Sequence, residues 1–126
     1  MFEDIQPVRG FSVDNLEAAQ NFYSNTSGIE IATSGRGPNL TFVRDSRIFI
    51  DHKADQVTGT FTVLKFPVDY IDKSVEELTE KSVKFDHNGY VTDEKRIARS
   101  ISGNRGPDIA WSKDPAGNIL TLLHEV

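Results

Sequence analysis

The chain states one pattern twice, and a duplicated unit limits its fold more tightly than any single motif. Phe11-Ser12-Val13-Asp14-Asn15-Leu16-Glu17 reappears as Phe66-Pro67-Val68-Asp69-Tyr70-Ile71-Asp72, an offset of 55 positions (66 less 11). Arg36-Gly37-Pro38-Asn39-Leu40-Thr41-Phe42 matches Arg105-Gly106-Pro107-Asp108-Ile109-Ala110-Trp111 at an offset of 69, and Arg44-Asp45 then matches Lys113-Asp114. A supersecondary unit of this size cannot bury its apolar face alone, so two copies imply pairing. Equivalent positions can be compared within the one chain.

A length of 126 residues suits a single domain, 1–126, with a sizeable core; module 1 covers about 5–53 and module 2 about 60–126. Hydrophobic residues at 37% and charged residues at 26% are the proportions of a soluble globular protein. The net charge of −5 argues against nucleic acid as a partner, because no basic stripe replaces phosphate counterions. No long apolar run and no charged-then-apolar leader points to a membrane or to export, which leaves the cytoplasm as the default. With no cysteine, disulfides, thiolate metal sites and a cysteine nucleophile are excluded.

Each copy reads as strand, helix, then three strands. In the first, Val8 to Val13 is a strand, and Leu16, Ala19, Phe22 and Tyr23 recur at helical spacing. Asp14 or Asn15 suits the N-cap, and Gly28 ends the segment. Strands follow at Ile29 to Thr33, Asn39 to Val43 and Ile48 to His52. In the second copy Phe61 to Val68 is the strand, and Ile71, Val75 and Leu78 mark the helix. Val83 to Asp86, Ile97 to Ile101, Asp108 to Lys113 and Ile119 to His124 give the later strands, with a polar, mobile loop from Asp86 to Arg96. Residues 53 to 60 read as the linker.

Asp114-Pro115-Ala116-Gly117-Asn118, with Phe22-Tyr23 on the first helix and the final Leu120-Thr121-Leu122-Leu123-His124-Glu125, resembles the vicinal oxygen chelate superfamily. That group includes glyoxalase I, extradiol dioxygenases and the fosfomycin and bleomycin resistance proteins. The resemblance spans essentially the whole chain. It implies an α+β fold: two βαβββ modules whose mixed sheet curls into a U-shaped cleft, with helices on the convex face. The duplication points the same way independently.

The resemblance also implies a divalent metal held by His, Glu or Gln on the first and last strands of each module. Counting from the motifs puts those places at Val8, Ile50, Val63 and Thr121. Hydrocarbon cannot coordinate a cation, and a neutral hydroxyl is a poor substitute for imidazole or carboxylate. A shift of one residue would offer Arg9, Asp51, Leu64 and Leu122, which is no better. No metal and no other cofactor are therefore expected.

Strand alternation sets what else shares the expected cleft. Val8 brings Gly10 and Ser12; Ile50 brings Ile48 and His52; Val63 brings Lys65; Thr121 brings Ile119 and Leu123. Pairing the last two strands puts Trp111 opposite Thr121 and, by the repeat, Phe42 opposite Ile50. The expected pocket has apolar walls, with Ser12, Phe42, His52, Lys65, Trp111 and Thr121 as ligand contacts, a usual make-up for a small-molecule site. Each has a plainer reading: Trp111 and Phe42 as core packing, Lys65 as a stem along the wall with its amine in water, and His52 as an exposed strand-end residue. His87 and His124 belong to no constellation and read as surface residues. The Ser-Gly-Arg-Gly-Pro stretch at 34 to 38 reads as a hairpin turn, since no helix follows it to cradle a phosphate.

Two classes of function follow. One is a metal-free small-molecule binding protein of the bleomycin resistance type, sequestering a drug or metabolite between aromatic side chains without chemistry. The other is a metal-independent lyase or isomerase with Lys65 or His52 as base or electrostatic stabiliser. A metal-dependent glyoxalase or dioxygenase ranks behind both. The scarcity of paired acid and base candidates favours binding over catalysis. With a Lys and no obvious carboxylate in the expected cleft, the expected ligand is a neutral or anionic aromatic or carboxylate-bearing molecule. Two modules per chain and the prevalence of two-fold symmetry favour a homodimer.

Overall fold

In the computed structural model, which describes residues 1–87, 91–99 and 107–124, the repeat becomes two compact units, Met1–Val57 and Thr58–Val126. Each carries one mixed sheet and one principal helix. The first unit holds β1 (Arg9–Val13), α1 (Leu16–Asn21), β2 (Glu30–Ser34), β3 (Gly37–Thr41) and β4 (Arg47–His52). Its sheet order is β1-β4-β3-β2, with β1 parallel to β4 and the remaining pairs antiparallel. This is a βαβββ unit.

Asn15 starts α1 by accepting the Ala18 amide on its side-chain oxygen at 3.0 Å, which satisfies one of the free donors of the first turn. The helix then widens into a π turn over Phe22–Thr26, where the Ser27 amide reaches back to the Phe22 carbonyl at 2.8 Å. Tyr23 is fully buried there, with its ring 5.7 Å from Phe11 and 5.0 Å from Phe22, both edge-on. That aromatic trio joins the helix to β1. Gly28 closes the segment at φ +73°, a conformation costly for residues with a Cβ, and lets the Ile29 amide bond the Tyr23 carbonyl.

The second unit holds β5 (Thr62–Pro67), α2 (Ile71–Glu80), β6 (Asp108–Lys113) and β7 (Ile119–His124), in the sheet order β5-β7-β6. Ile71 and Val75, one turn apart, are the buried positions of α2. The strands read at Val83 to Asp86 and Ile97 to Ile101 reduce to single bridges, Phe85 with Ser112 and Ala98 with Ile109; Ile101 lies outside the described residues. Ahead of the second bridge, residues 93–97 form a turn built on Asp93.

Two five-residue turns in this unit share one design. Asp114 accepts the amides of Ala116 and Asn118 on Oδ1 at 2.9 and 2.8 Å, while its own amide bonds the Asn118 carbonyl. Asp93 accepts the amides of Lys95 and Ile97 at 2.9 and 3.0 Å, and its amide bonds the Ile97 carbonyl. The fourth residue of each turn is left-handed: Gly117 at φ +92° and Arg96 at φ +69°. Asp-Pro-x-Gly-Asn is therefore a turn whose carboxylate replaces missing backbone partners.

The strand registers correct one part of the sequence reading. Phe11 pairs with Ile50 and Phe66 with Leu122, so the last strands are offset by 72 (122 less 50) rather than 71. Leu40 pairs with Ile48 and Ser112 with Leu120, so the third strands are also offset by 72 (112 less 40), not 69. Both turns before the last strand span five residues, so the two modules have the same length there. The Arg-Gly-Pro match therefore does not mark equivalent register in the third strands; Arg105 and Gly106 lie outside the described residues. An odd slip turns every side chain to the other face.

Candidate functional site

Residues directly opposite each other in a ladder share a face of the sheet. Lys65 pairs with Thr121, and Thr121 with Trp111, so these three form one row across β5, β7 and β6, as the sequence reading placed Trp111 and Thr121. Leu64, Phe66, Leu120, Leu122, Ala110 and Ser112 occupy the opposite face. Phe66 is the repeat of Phe11, whose ring meets the helix residue Tyr23 in the first unit, so that face is the helix-covered one. The Lys65–Thr121–Trp111 row therefore lies on the face turned away from α2.

Within the row, Thr121 is buried and its hydroxyl lies 2.8 Å from that of Thr62. A bulge between Thr62 and Leu64 turns Thr62 toward it, and Val63 sits in that bulge. Lys65 is exposed and has no ion pair among the described residues, whereas Trp111 is half-buried. An indole wall, a satisfied hydroxyl pair and a free ammonium thus stand side by side. Such a surface can stack an aromatic ring and hold a negative group at its edge.

In the first unit the equivalent row is Gly10–Phe49–Asn39. Ser12 and Asp51 pair one step further along the same face, and the Ser12 hydroxyl donates to the Gln56 side-chain oxygen. A Cβ on Gly10 would stand 3.2 Å from Oδ2 of Asp51, so the glycine leaves room for that carboxylate. The expectation of a face without a carboxylate is corrected by Asp51.

His52 and Phe42 are corrected too. His52 pairs with Val13 on the helix-covered side, and its Nε2–H donates to the Asp14 carbonyl at 3.2 Å. Ile50 and Ile48 share that parity, and Ile50 is almost fully buried. Phe42 is not opposite Ile50: it lies past the end of β3, with its amide on the Ser46 carbonyl at 2.8 Å. Ser12, Lys65, Trp111 and Thr121 keep the orientation expected of them. His124 is half-buried and donates from Nδ1 to the Val68 carbonyl at 2.9 Å, while His87 bonds Thr92 at 3.0 Å.

With Ile50 replaced by the register equivalent of Thr121, the places to which the resemblance assigns metal ligands become Val8, Phe49, Val63 and Thr121. Their only oxygen is a hydroxyl already bonded to Thr62. This donor set does not fit a divalent cation. Among the described residues no three His, Cys, Asp or Glu side chains gather as a cation site requires.

The main charge network serves structure. Arg99 reaches Asp72 at 2.8 Å, Asp93 at 2.9 Å and Asp108 at 3.7 Å, and Lys95 adds a contact to Asp72 at 3.5 Å. The hydrogen bond from Arg99 lowers the Asp72 carboxyl against partial desolvation, and Asp72 and Asp93 together raise Arg99. At Asp93 burial works upward, but the Arg99 bond and the amides of Ile97 and Lys95 outweigh it, so that carboxyl is lowered as well.

A feature missed in the sequence is a cavity of about 690 Å³ in the first unit, lined by Arg9, Arg36 and Arg47 together with Val8, Ile48 and Phe49. These arginines come from the start of β1, the β2–β3 turn and the start of β4, segments that adjoin only through strand pairing across the first sheet.

No family model and no curated protein sequence matches the chain. Solved structures do. A putative glyoxalase family protein from Bacillus anthracis is 18% identical, with 97% of each chain covered and a TM-score of 0.68. TnmS3, an antibiotic binding protein from Streptomyces sp. CB03234, is 22% identical, with 97% of this chain and 98% of its own covered and a TM-score of 0.62. A glyoxalase family protein from Enterococcus faecalis is 20% identical over 98% and 99%, at a TM-score of 0.61. Among the described residues no helix is long and apolar enough to cross a membrane. The chain has the fold of the vicinal oxygen chelate superfamily, the group that its repeat and its Asp-Pro-x-Gly-Asn turn resemble.

Proposed function

We propose that this protein binds a small aromatic molecule, neutral or anionic, without a metal and without transforming it, and so sequesters a drug or metabolite. The observation that carries the reading is the row Lys65–Thr121–Trp111, which sets an aromatic wall and an unpaired cation on the helix-free face of one sheet. The donor set at the superfamily's metal positions supports the metal-free part. An antibiotic binding protein with the same fold supports the choice of binding over chemistry.

A metal-independent enzyme would need a base poised beside the ligand. His52 suits that role poorly, because its ring is bonded to the Asp14 backbone on the other side of its sheet from Ser12. The protein acts as a homodimer in this reading, and light scattering of a monomer at high micromolar concentration would reject that part.

Trp111 is the only tryptophan, so its fluorescence reports on its surroundings alone. Screening aromatic carboxylates and neutral aromatics should give a saturable change in that emission for at least one class. Native mass spectrometry of the purified protein should show a retained mass that Trp111→Ala loses. A panel that leaves the emission unchanged, with no retained mass, would sink the reading.

A further inference from the structure

Each sheet leaves two strands at its edges, β1 and β2 in the first unit, β5 and β6 in the second. Pairing along such edges is discouraged by cationic side chains, proline, glycine, bulges or a covering segment. Three of the four edges carry these devices. β1 has Arg9 and Gly10, and β5 has its bulge with Lys65 and Pro67. β6 ends in Lys113 and is bridged along its outer side by Phe85 and Ala98. β2, Glu30-Ile31-Ala32-Thr33-Ser34, has none of them. Its register with β3 runs unbroken, and no residue in it is buried.

Pro38 decides which backbone groups of β2 face outward. Thr33 lies opposite Pro38, which has no N–H, so that pair is not a hydrogen-bonded one. The bonded pairs are then Glu30–Thr41, Ala32–Asn39 and Ser34–Gly37, and the amides and carbonyls of Ile31 and Thr33 point away from β3. Among the described residues neither amide has a partner.

Two copies of this edge fit each other about a two-fold axis through Ala32. Run antiparallel, Ile31 of each copy meets Thr33 of the other, and each such pair exchanges both N–H···O bonds. Ala32 meets its own copy at the closer, non-bonded spacing of about 4.5 Å between Cα atoms, which its methyl group fits. Glu30, the only charged residue of the strand, meets Ser34, and Arg36 stands one diagonal step beyond, within reach of a long side chain. Glu30 and Arg36 are exposed, and neither has an ion pair among the described residues. The pairing therefore brings opposite charges together twice and opposes no like charges.

We propose that β2 is the interface of a homodimer, in which two copies of this chain pair their β2 strands antiparallel about Ala32 and join their first sheets. This rests on the homodimer of the proposed function and names its surface; it takes nothing from ligand binding at the Trp111 row.

The chain has no cysteine, so Ala32→Cys supplies a single thiol. A Cα spacing of about 4.5 Å admits a disulfide, and mild oxidation of the full chain should turn Ala32→Cys into a covalent dimer. Thr33→Cys, which faces Ile31 rather than its own copy, should cross-link about tenfold more slowly. Light scattering of the unaltered chain should give a dimer. Thr33→Pro removes an outward amide without touching the β3 ladder, and should weaken association by about tenfold or more. Glu30→Arg and Arg36→Glu should each weaken it about threefold to tenfold, and the two together should restore it. Circular dichroism confirms that each variant is folded, and the charge reversals carry the test if the proline variant is not. A wild-type monomer at high micromolar concentration would overturn this interface and the homodimer together. A dimer indifferent to Thr33→Pro and to both charge reversals, or one that cross-links no faster at Ala32 than at Thr33, would overturn this interface alone.

Discussion

Thr62 and Thr121 share a hydrogen bond of 2.8 Å between their hydroxyls, made possible by the bulge that turns Thr62 out of the regular β5 ladder. Thr121 is buried, so its hydroxyl relies on Thr62 rather than on bulk water for a partner. Removing one hydroxyl leaves the other unpaired, which costs more than the bond contributes. Thr121→Val alone should destabilise by about 1–2 kcal/mol, and Thr62→Val/Thr121→Val by less than the sum of the singles. Chemical denaturation of all three variants checks this; strict additivity would mean that the hydroxyls do not depend on each other.

Much of the fold was legible because its strongest signals are local. A cap at Asp14 or Asn15 (Asn15 in the structure), Gly28 as stop and the limits of β6 and β7 follow from short polar residues and apolar alternation. The faces of β4 were not legible, because they depend on how the third and fourth strands pair. Phe42 and Trp111 look equivalent in sequence, yet the ladder makes Asn39 the counterpart of Trp111. A separate slip of one residue, in matching the last strands, put His52 and Ile50 on the wrong face, whereas Trp111 and Thr121 needed no transfer between the copies and fell into place.

The Asp93 turn was also hidden, and for a chemical reason. Its twin announces itself through Gly117, but the matching position here is Arg96, held at φ +69°. A residue with a Cβ is strained there, and a glycine is not. Arg96→Gly should therefore stabilise the protein by about 0.5–1 kcal/mol, after the extra freedom of glycine in the unfolded chain is subtracted. Thermal unfolding reads the change directly, and a lower midpoint would show that the Arg96 side chain contributes more than its backbone costs.

The Arg99 network makes stability depend on acid. Asp72 and Asp93 both titrate below the ordinary aspartate value of 3.8 in the folded protein. Folded values lower than unfolded ones add stability above 3.8, and that stability is lost as pH falls through the folded values. Arg99→Gln should lower the unfolding midpoint at neutral pH, with the gap to wild type closing as pH drops below 3.8. Because Asp72 and Arg99 are each about 40% exposed (43% and 40%), high salt should narrow the gap as well. A difference independent of pH would assign Arg99 a packing role instead.

Metal content gives a direct check on the corrected ligand positions. Val8, Phe49 and Val63 offer no donor, and the Thr121 hydroxyl is taken up by Thr62. Elemental analysis of the purified protein should find zinc, nickel, iron and manganese far below one equivalent, and added metal should leave thermal stability unchanged. A stoichiometric metal that disappears on Thr121→Ala would mean that the strands had been matched wrongly.

Trp111 and Lys65 flank Thr121 on the same face, but they should contribute differently. The indole supplies area and a π-face, so Trp111→Ala should cost a stacked aromatic ligand about 1–3 kcal/mol of affinity. It should also destabilise the fold noticeably, because the half-buried ring packs along the sheet. Lys65→Met keeps most of the stem and removes the charge, and Lys65 is exposed, so stability should barely change. What should change is selectivity: anionic aromatics should weaken while neutral ones hold. Binding curves for one matched pair, an aryl carboxylate and its amide, measured on wild type and both variants, separate the two roles. Equal losses for acid and amide on Lys65→Met would remove the charge contact from the site and leave Trp111 as its only recognised element.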